Sequence, residues 1–274
     1  MDPLGALRGQ VVLITGASRG LGAALAQAFA AEGARLVLCA RDEAALQKAA
    51  DGLAAAGTQV LAMAGDVADP AFAPRLVGAA GKRFGGIDVL INNAGQIGAP
   101  SLCFLETYPM DALERVFHIN TFAPIRFIQQ VVAGMLKRRR GVIINVSSDA
   151  AAGAYAGWGA YGASKAALDH LTRTLAVELD GTGIRVYAVD PGDMDTQLHR
   201  DCFPGLDPGS PPPPSVATGV FVWLASGEGA AVPTGTRIEA QKWNAIPKAR
   251  HRPAGTQAGR ACHGRKAAPA APDP

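Results

Sequence analysis

The sequence of 274 residues has only four cysteines, Cys39, Cys103, Cys202 and Cys262, and no two of them form a Cys-x-x-Cys pair. Neither a zinc site nor a disulfide framework is indicated, no metal is expected, and a reducing cytoplasm fits best. Nowhere do eighteen apolar residues run uninterrupted, which argues against a membrane-spanning helix. The N-terminus lacks the marks of a secretion signal. Asp2 puts an acid where a basic segment belongs, and the first apolar run stops at Thr15 and Gly16. These absences together read as a soluble protein.

An excess of one charge is also missing from most of the chain. Residues 1–241 carry nineteen Lys/Arg against twenty-two Asp/Glu, whereas residues 242–274 carry seven Lys/Arg against one Asp. That split argues against a nucleic-acid binder, although the basic end alone could touch an anionic surface. From Asn244 onward Ala, Pro, Gly, Lys and Arg dominate. Such a segment has too little apolar surface to offset its ordering entropy, so residues 244–274 are expected to be a disordered tail behind a single domain over 1–243.

What the chain has in quantity is glycine, 33 residues, and apolar runs spaced between helical patterns. Strands are predicted at Val11 to Thr15, Arg35 to Ala40, Gln59 to Ala64, Val89 to Asn92, Gly141 to Val146, Ile184 to Val189 and Thr236 to Ala240. Seven strands alternating with helices imply an α/β fold, a parallel sheet covered on both faces. In residues 20–32, Leu21, Leu25 and Phe29 recur at a spacing of four, giving one apolar stripe. Asp42 is placed to cap a helix over Glu43 to Ala56, and Gly57 to stop it. A longer helix from Tyr161 to Leu179 carries Leu168, Leu171, Leu175 and Leu179 along one side. The stretch from Pro191 to Ser215 is rich in Pro, Gly and Asp and is expected to be a long functional loop rather than a helix.

Directly after the first strand stands Gly16-Ala17-Ser18-Arg19-Gly20-Leu21-Gly22, and a helix follows at once. Glycines there permit a sharp turn and let a pyrophosphate approach backbone N–H groups at a helix N-terminus, where the dipole favours an anion. Position after a first strand makes the motif far more specific than three glycines alone.

This TGASRGLG segment resembles the TGxxxGxG motif of the short-chain dehydrogenase/reductase family. The resemblance is collinear from Thr15 to Thr196, and it implies a single doubly wound Rossmann-type domain with a nicotinamide cofactor. The family places an acid after its second strand to hold the ribose hydroxyls of NAD, or a base to accept the 2′-phosphate of NADP. Here Ala40 takes that acidic position and Arg41 follows, with Arg19 inside the glycine turn. Two guanidinium groups suit a phosphate, so NADP(H) is preferred, with NAD(H) the alternative. The resemblance further implies cofactor contacts at Gly16, Ser18, Gly20, Leu21 and Gly22 in the turn, and at Asp66 and Val67, with Asp66 accepting the adenine amino group. Asn93, Ala94 and Gly95 of the NNAG segment starting at Asn92 border the cofactor, and Pro191, Gly192 and Thr196 hold the nicotinamide carboxamide.

Tyr161 and Lys165, four apart on one helix face, match the family's YxxxK pair. Ser148 lies thirteen residues before the tyrosine, which is the family's spacing and selects it over its neighbour Ser147. Asn120 resembles the fourth member of the set. By resemblance, Ser148 stabilises the reacting oxygen, Tyr161 carries the proton, Lys165 holds the nicotinamide ribose, and Asn120 anchors a water. A free phenol has a pKa near 10, and lowering it by about two to three units requires roughly 3 to 4 kcal/mol, which the neighbouring Lys165 ammonium together with the positive nicotinamide of the oxidised complex would supply. The implied activity is hydride transfer between NADP(H) and a small carbonyl or alcohol.

Two features depart from the family, the last strand and the proline-rich loop where a substrate lid would stand. Its last strand commonly ends in a VDGG-like segment, where this chain has Thr234-Gly235-Thr236-Arg237-Ile238-Glu239-Ala240-Gln241-Lys242-Trp243. Asp190, Asp193 and Asp195 crowd the Pro191–Gly192 turn and are read as solvating a loop. Leu102, Phe104, Leu105 and Trp158 are candidates for an apolar pocket wall. By resemblance the protein is a homodimer or homotetramer. A non-catalytic NADP(H)-binding sensor on the same fold is the alternative reading. An extended epimerase or dehydratase would need a further substrate domain and a different glycine spacing.

Overall fold

The computed structural model describes residues 5–98, 103–203, 205, 207 and 211–245. Its centre is one parallel sheet built from β1 (Val11–Thr15), β2 (Arg35–Ala40), β3 (Val60–Ala64), β4 (Val89–Asn92), β5 (Gly141–Val146), β6 (Ile184–Asp190) and β7 (Arg237–Glu239). The strand order is β3-β2-β1-β4-β5-β6-β7. The order reverses between β1 and β4, and in an open parallel sheet the crevice beyond the carboxyl ends at that reversal is where ligands sit. The chain reads as α/β because its strands are apolar on both sides. In β1, Val12 and Ile14 pack into one core while Val11 and Leu13 pack into the other.

Helices α1 (Gly20–Ala31), α2 (Glu43–Ala55) and α8 (Thr218–Ala225) cover the first face, where Leu25, Phe29, Leu46, Phe221 and Leu224 are buried. Helices α3 (Phe72–Phe84), α4 (Met110–Phe117), α5 (Ala123–Arg138) and α6 (Gly159–Glu178) flank the second, which holds Phe72, Leu76, Phe127, Val131 and Met135. The rings of Phe72 and Phe127 meet edge to face at 6.4 Å and so join α3 to α5. Among the described residues no helix is long and apolar enough to cross a membrane.

Local signals behave as their chemistry requires. The Asp42 carboxylate accepts the Ala45 N–H at 3.0 Å and caps α2, and Gly57 takes the left-handed conformation just past that helix, at φ +90°.

Two expectations need correction. The Pro191 to Ser215 segment is not all loop, because α7 (Gln197–Cys202) forms within it. Thr196 Oγ1 accepts the His199 N–H, Gln197 bonds Asp201 across one turn, and Arg200 pairs with Asp195, which is enough local support for a short helix. The buried face of α6 is also more polar than its leucine spacing suggests. Tyr161, Ser164, Lys165, Asp169 and Thr172 share it with Leu168 and Ala176, while Leu171 is only half-buried. That face meets the end of β5, where Lys165 Nζ donates to the Val146 carbonyl at 2.7 Å. The tail expected from Asn244 lies, from Ile246 on, outside the described residues, as does Leu102.

Candidate active site

A cleft of about 1150 Å³ opens over the carboxyl ends of the central strands. Of the site residues predicted from sequence, all but Asn120 line it: Gly16, Ser18, Arg19, Gly20, Leu21, Gly22, Arg41, Asp66, Val67, Asn93, Ala94, Gly95, Ser148, Tyr161, Lys165, Pro191, Gly192 and Thr196.

At one end the β1–α1 turn is built for close approach. Gly16 and Gly20 have φ of +69° and +55°. A Cβ on Gly22 would stand 2.2 Å from the Gly16 carbonyl oxygen, so only glycine lets the helix start fold back against the turn. Asn93 secures the other side, its Nδ2 donating to the carbonyls of Thr15 at 2.7 Å and Gly16 at 3.1 Å. Thr15 Oγ1 accepts the N–H groups of Asn93 and Ala94, each at 3.0 Å. The first turn of α1 has no acidic residue and no side-chain cap. An α-helix that starts this way leaves N–H donors and the positive dipole end for an anionic ligand.

Arg19 and Arg41 stand exposed at this end, and neither side chain has a hydrogen bond or ion pair among the described residues. The nearby acids are occupied elsewhere. Asp42 is the cap of α2, and Asp66 pairs with Arg115 while accepting the Ala68 N–H at 2.9 Å. Burial opposes ionisation of Asp66, but Arg115, that N–H and the charge of Arg41 outweigh it and hold the carboxyl below its ordinary range. Arg115 carried no recognisable signal in the sequence.

At the other end β5 delivers two adjacent serines with different fates. Ser147 is buried, and its hydroxyl is held by Asp169 Oδ2, to which it donates at 2.8 Å. Ser148 faces the cleft, donating to Asp149 Oδ1 at 2.9 Å and sharing a hydrogen bond with the Tyr161 hydroxyl. Lys165 is one turn beyond Tyr161 on α6, with Nζ 5.7 Å from the centre of the tyrosine ring and donating to the Val146 carbonyl at 2.7 Å.

The two titrating groups respond to burial in opposite directions. Burial pushes the Lys165 ammonium down to about 8, opposed by Asp169 and Asp190. It pushes the Tyr161 phenol up; the Ser148 hydrogen bond pulls back, and the carboxylates of Asp190 and Asp149 push it further up. The lowering expected from Lys165 and the oxidised nicotinamide together is therefore not produced by the protein's own groups. Desolvation and neighbouring carboxylates decide the direction.

Asn120 sits in a single π-type turn, His118–Phe122, between α4 and α5. Its side chain is fully buried, accepting the Gln96 N–H at 2.9 Å and donating to the Gln96 carbonyl at 2.8 Å and to Ser164 Oγ at 3.0 Å. Its amide therefore pins the loop after β4 instead of reaching into the cleft, where Ile119 is the lining residue. Asn92, at the end of β4, donates to Asn145 Oδ1 at 2.8 Å, and Asn145 donates to Thr172 Oγ1 at 2.9 Å, tying β4 and β5 to α6.

Asp190 is not a loop-solvating acid. It is buried, accepts the Gly192 N–H at 3.0 Å and pairs with Arg237 at 2.9 Å. Asp195 pairs with Arg200 and Asp193 lies 3.9 Å from His199. Trp158 lines the cleft, its ring packed on Tyr161 at 5.7 Å and Phe203 at 5.9 Å. Phe104 and Leu105 instead line a separate surface depression with Tyr155, of about 420 Å³.

A sequence profile of the short chain dehydrogenase family matches residues 10–206. The chain belongs to the short-chain dehydrogenase/reductase family. Over 206 residues it is 37% identical to the rhamnolipids biosynthesis 3-oxoacyl-[acyl-carrier-protein] reductase of Pseudomonas aeruginosa, covering 73% of this chain and 78% of that protein. It is also 37% identical over 196 residues to the glycine betaine reductase of Emericella nidulans, where the match covers 72% of this chain but only 15% of the longer protein. Among solved structures, a short chain dehydrogenase from Shigella flexneri complexed with NADP superposes with a TM-score of 0.81 at 27% identity, over 87% of this chain and 99% of that one. An NAD⁺-bound xylitol dehydrogenase does so with a TM-score of 0.77 at 28% identity, over 85% and 98%. Both nicotinamide cofactors thus occur on solved structures that share this fold.

Proposed function

We propose that this family member is an NADP(H)-dependent oxidoreductase acting on a carbonyl or alcohol, with Tyr161 as the general acid and base. The observation that carries the reading is the meeting of Ser148, Tyr161 and Lys165 on one wall of a cleft that begins at a glycine turn with an uncapped helix start. The residues fit the cofactor: the turn leaves no room for a Cβ at Gly22, and Arg19 and Arg41 are unengaged beside it. Gly16, Ser18, Gly20, Leu21 and Gly22 would receive the pyrophosphate, with Arg19 and Arg41 taking the 2′-phosphate. Asp66, Val67, Asn93, Ala94 and Gly95 would flank the adenosine and ribose, and Pro191, Gly192 and Thr196 the nicotinamide. When bound, that ring supplies or accepts the hydride.

The protein's own groups handle oxygen and proton. Reduction of a carbonyl develops negative charge on oxygen, which needs a hydrogen-bond donor and then a proton. The Ser148 hydroxyl, now given to Asp149, would turn its hydrogen to that oxygen. Tyr161, held in its protonated form by burial, would donate the proton. Lys165 would bond the ribose and supply positive charge beside the phenol. Asn120 would act by fixing Gln96 and Ser164 and so the loop and helix on either side of Lys165. Phenylalanine at position 161 removes the proton donor with little change in packing.

The test is NADPH consumption over a panel of aldehydes, ketones, quinones and 3-oxoacyl thioesters, run beside NADH and Tyr161→Phe. Turnover that needs NADPH and disappears in Tyr161→Phe is expected. Activity that survives in that variant would sink the assignment of Tyr161, and tight NADPH binding with no turnover on any substrate would favour a sensor. A homodimer or homotetramer is supported by family likeness, and light scattering of the full chain decides it.

A further inference from the structure

The segment that stands in place of the family's glycine-rich last strand carries Arg237, whose side chain runs inward behind the reaction centre. Its Nε donates to Asp169 Oδ2 at 3.1 Å, and its Nη2 donates to Asp190 Oδ2 at 2.9 Å and to the Ser148 carbonyl at 2.8 Å. These three acceptors belong to three different elements. Asp169 lies one turn past Lys165 on α6, Asp190 ends β6 and holds the Gly192 N–H, and Ser148 follows β5. Asp169 and Asp190 are 5% and 6% exposed, so each carboxylate needs a partner to stay charged. Glu239, half-exposed and 3.9 Å away, touches the outer edge of the same guanidinium.

We propose that Arg237 is a positioning residue of the active site, clamping the Ser148 segment, the Tyr161–Lys165 helix and the Pro191–Gly192 turn together and balancing the carboxylates of Asp169 and Asp190 behind them. The inference rests on the reading of Tyr161 and Lys165 as the catalytic pair. A guanidinium suits the task because it offers a rigid fork to several oxygens at once, which a lysine ammonium on a flexible stem does not. Without it, two buried negative charges would act on one cation, Lys165. The groups facing Lys165 are Asp169 on its own helix, Asp190 from β6, the Val146 carbonyl from β5 and the Tyr161 ring, with the Asn120 amide beside Gly95. Tyr161 is faced in addition by Ser148, Asp149 and Cys202. Loss of Arg237 therefore favours the protonated ammonium and the neutral phenol together.

The experiment is a ¹³C NMR titration of lysine side chains in the full-length protein, with the Lys165 signal assigned by its absence in Lys165→Met. In Arg237→Met the Lys165 midpoint is expected to move alkaline by about one unit. Asp190→Asn should move it the opposite way, Arg237→Met with Asp190→Asn should return it toward the parent, and Arg237→Lys should leave it nearer the parent than Arg237→Met. A residue that only stabilised the last strand would lower the melting temperature without shifting the midpoint in opposite directions. Midpoints unmoved in both Arg237→Met and Asp190→Asn would overturn the inference. If Arg237→Met does not fold, Asp190→Asn and Arg237→Lys decide: an unmoved midpoint in the first, or a large alkaline shift in the second, overturns it. The titration needs no turnover, so it can fail while Tyr161→Phe still abolishes activity, and the reverse result would discredit only the catalytic reading.

Discussion

Replacing Arg41 with alanine tests the cofactor preference without knowledge of the substrate. Arg41 is exposed beside the glycine turn, and the acids that could neutralise it are engaged, Asp42 with the Ala45 N–H and Asp66 with Arg115. A hydrogen bond to a charged group is worth about 1.5 to 3 kcal/mol. Because Arg41 stands in solvent and Arg19 would remain to share the phosphate, a value at or below the lower end of that range applies, about 1 to 2 kcal/mol or roughly 5- to 30-fold in Kd. Binding followed by the fluorescence of the reduced nucleotide would measure this directly. NADPH should weaken by that factor in Arg41→Ala, more at low salt than at high, whereas NADH, which lacks the phosphate, should bind within about twofold of the parent. Equal weakening of both nucleotides would refute the reasoning, because it would place Arg41 on a part of the cofactor that the two share.

Gly22→Ala should abolish nucleotide binding with the fold intact by circular dichroism, since its Cβ would meet the Gly16 carbonyl at 2.2 Å and Asn93 Nδ2 at 2.6 Å; undiminished binding would show that the turn yields. Asp42→Ala removes the cap of α2 and should cost about 1 kcal/mol, lowering Tm by roughly 2 to 4 °C without altering NADPH affinity. Lys165→Met tests a linkage: burial brings the folded-state value of Lys165 from 10.5 down to about 8, so between those values the unfolded chain holds a proton that the folded chain lacks. The parent's stability therefore gains from Lys165 as pH rises from about 8 to 10.5, and denaturant titrations should show that gain missing in Lys165→Met. Parallel curves for the two proteins across this window would contradict a desolvated lysine.

The sheet was legible because each of its strands is a short apolar run between turn residues, and both faces of a parallel sheet reward apolar side chains. Prediction and structure part at strand ends, with β3 beginning at Val60 rather than Gln59, β6 running on to Asp190 and β7 shrinking to Arg237–Glu239. The glycine turn and the Tyr161–Lys165 pair were legible for a different reason, since their spacing is itself the geometry: four residues on a helix make one face. What could not be read were partnerships across the sheet. Arg115 with Asp66 and Arg237 with Asp169 join residues 49 and 68 positions apart, and no local pattern records such distances. Asp190 was misread for the same reason, because its proline-glycine neighbours suggested a solvated turn while its actual partner comes from the last strand. The helix α7 was hidden by the prolines around it, although Thr196 and the Gln197–Asp201 pair supply enough capping and side-chain support for six residues.

The environment of Tyr161 and Lys165 has a consequence for the direction of proton flow under the proposed role. In water a lysine keeps its proton to slightly higher pH than a tyrosine does. Here burial brings Lys165 down to about 8 and drives Tyr161 up, so the protein alone reverses the order and keeps the phenol protonated across the neutral range. A protonated phenol is what carbonyl reduction requires, because that reaction must end with a proton delivered to the new alkoxide. Alcohol oxidation needs the opposite form, and burial beside Asp190 and Asp149 disfavours it unless positive charge enters the cleft with the oxidised cofactor. The same burial that costs stability at Lys165 therefore prepares Tyr161 as an acid. The carboxylates of Asp169 and Asp190 keep Lys165 from losing its proton at still lower pH, and Arg237 opposes the burial that raises both carboxyls. A buried cluster of two cations and two anions is expensive to assemble for stability alone. Its placement directly behind the phenol that would donate the proton and the ammonium beside it gives that expense a chemical purpose under the proposed role.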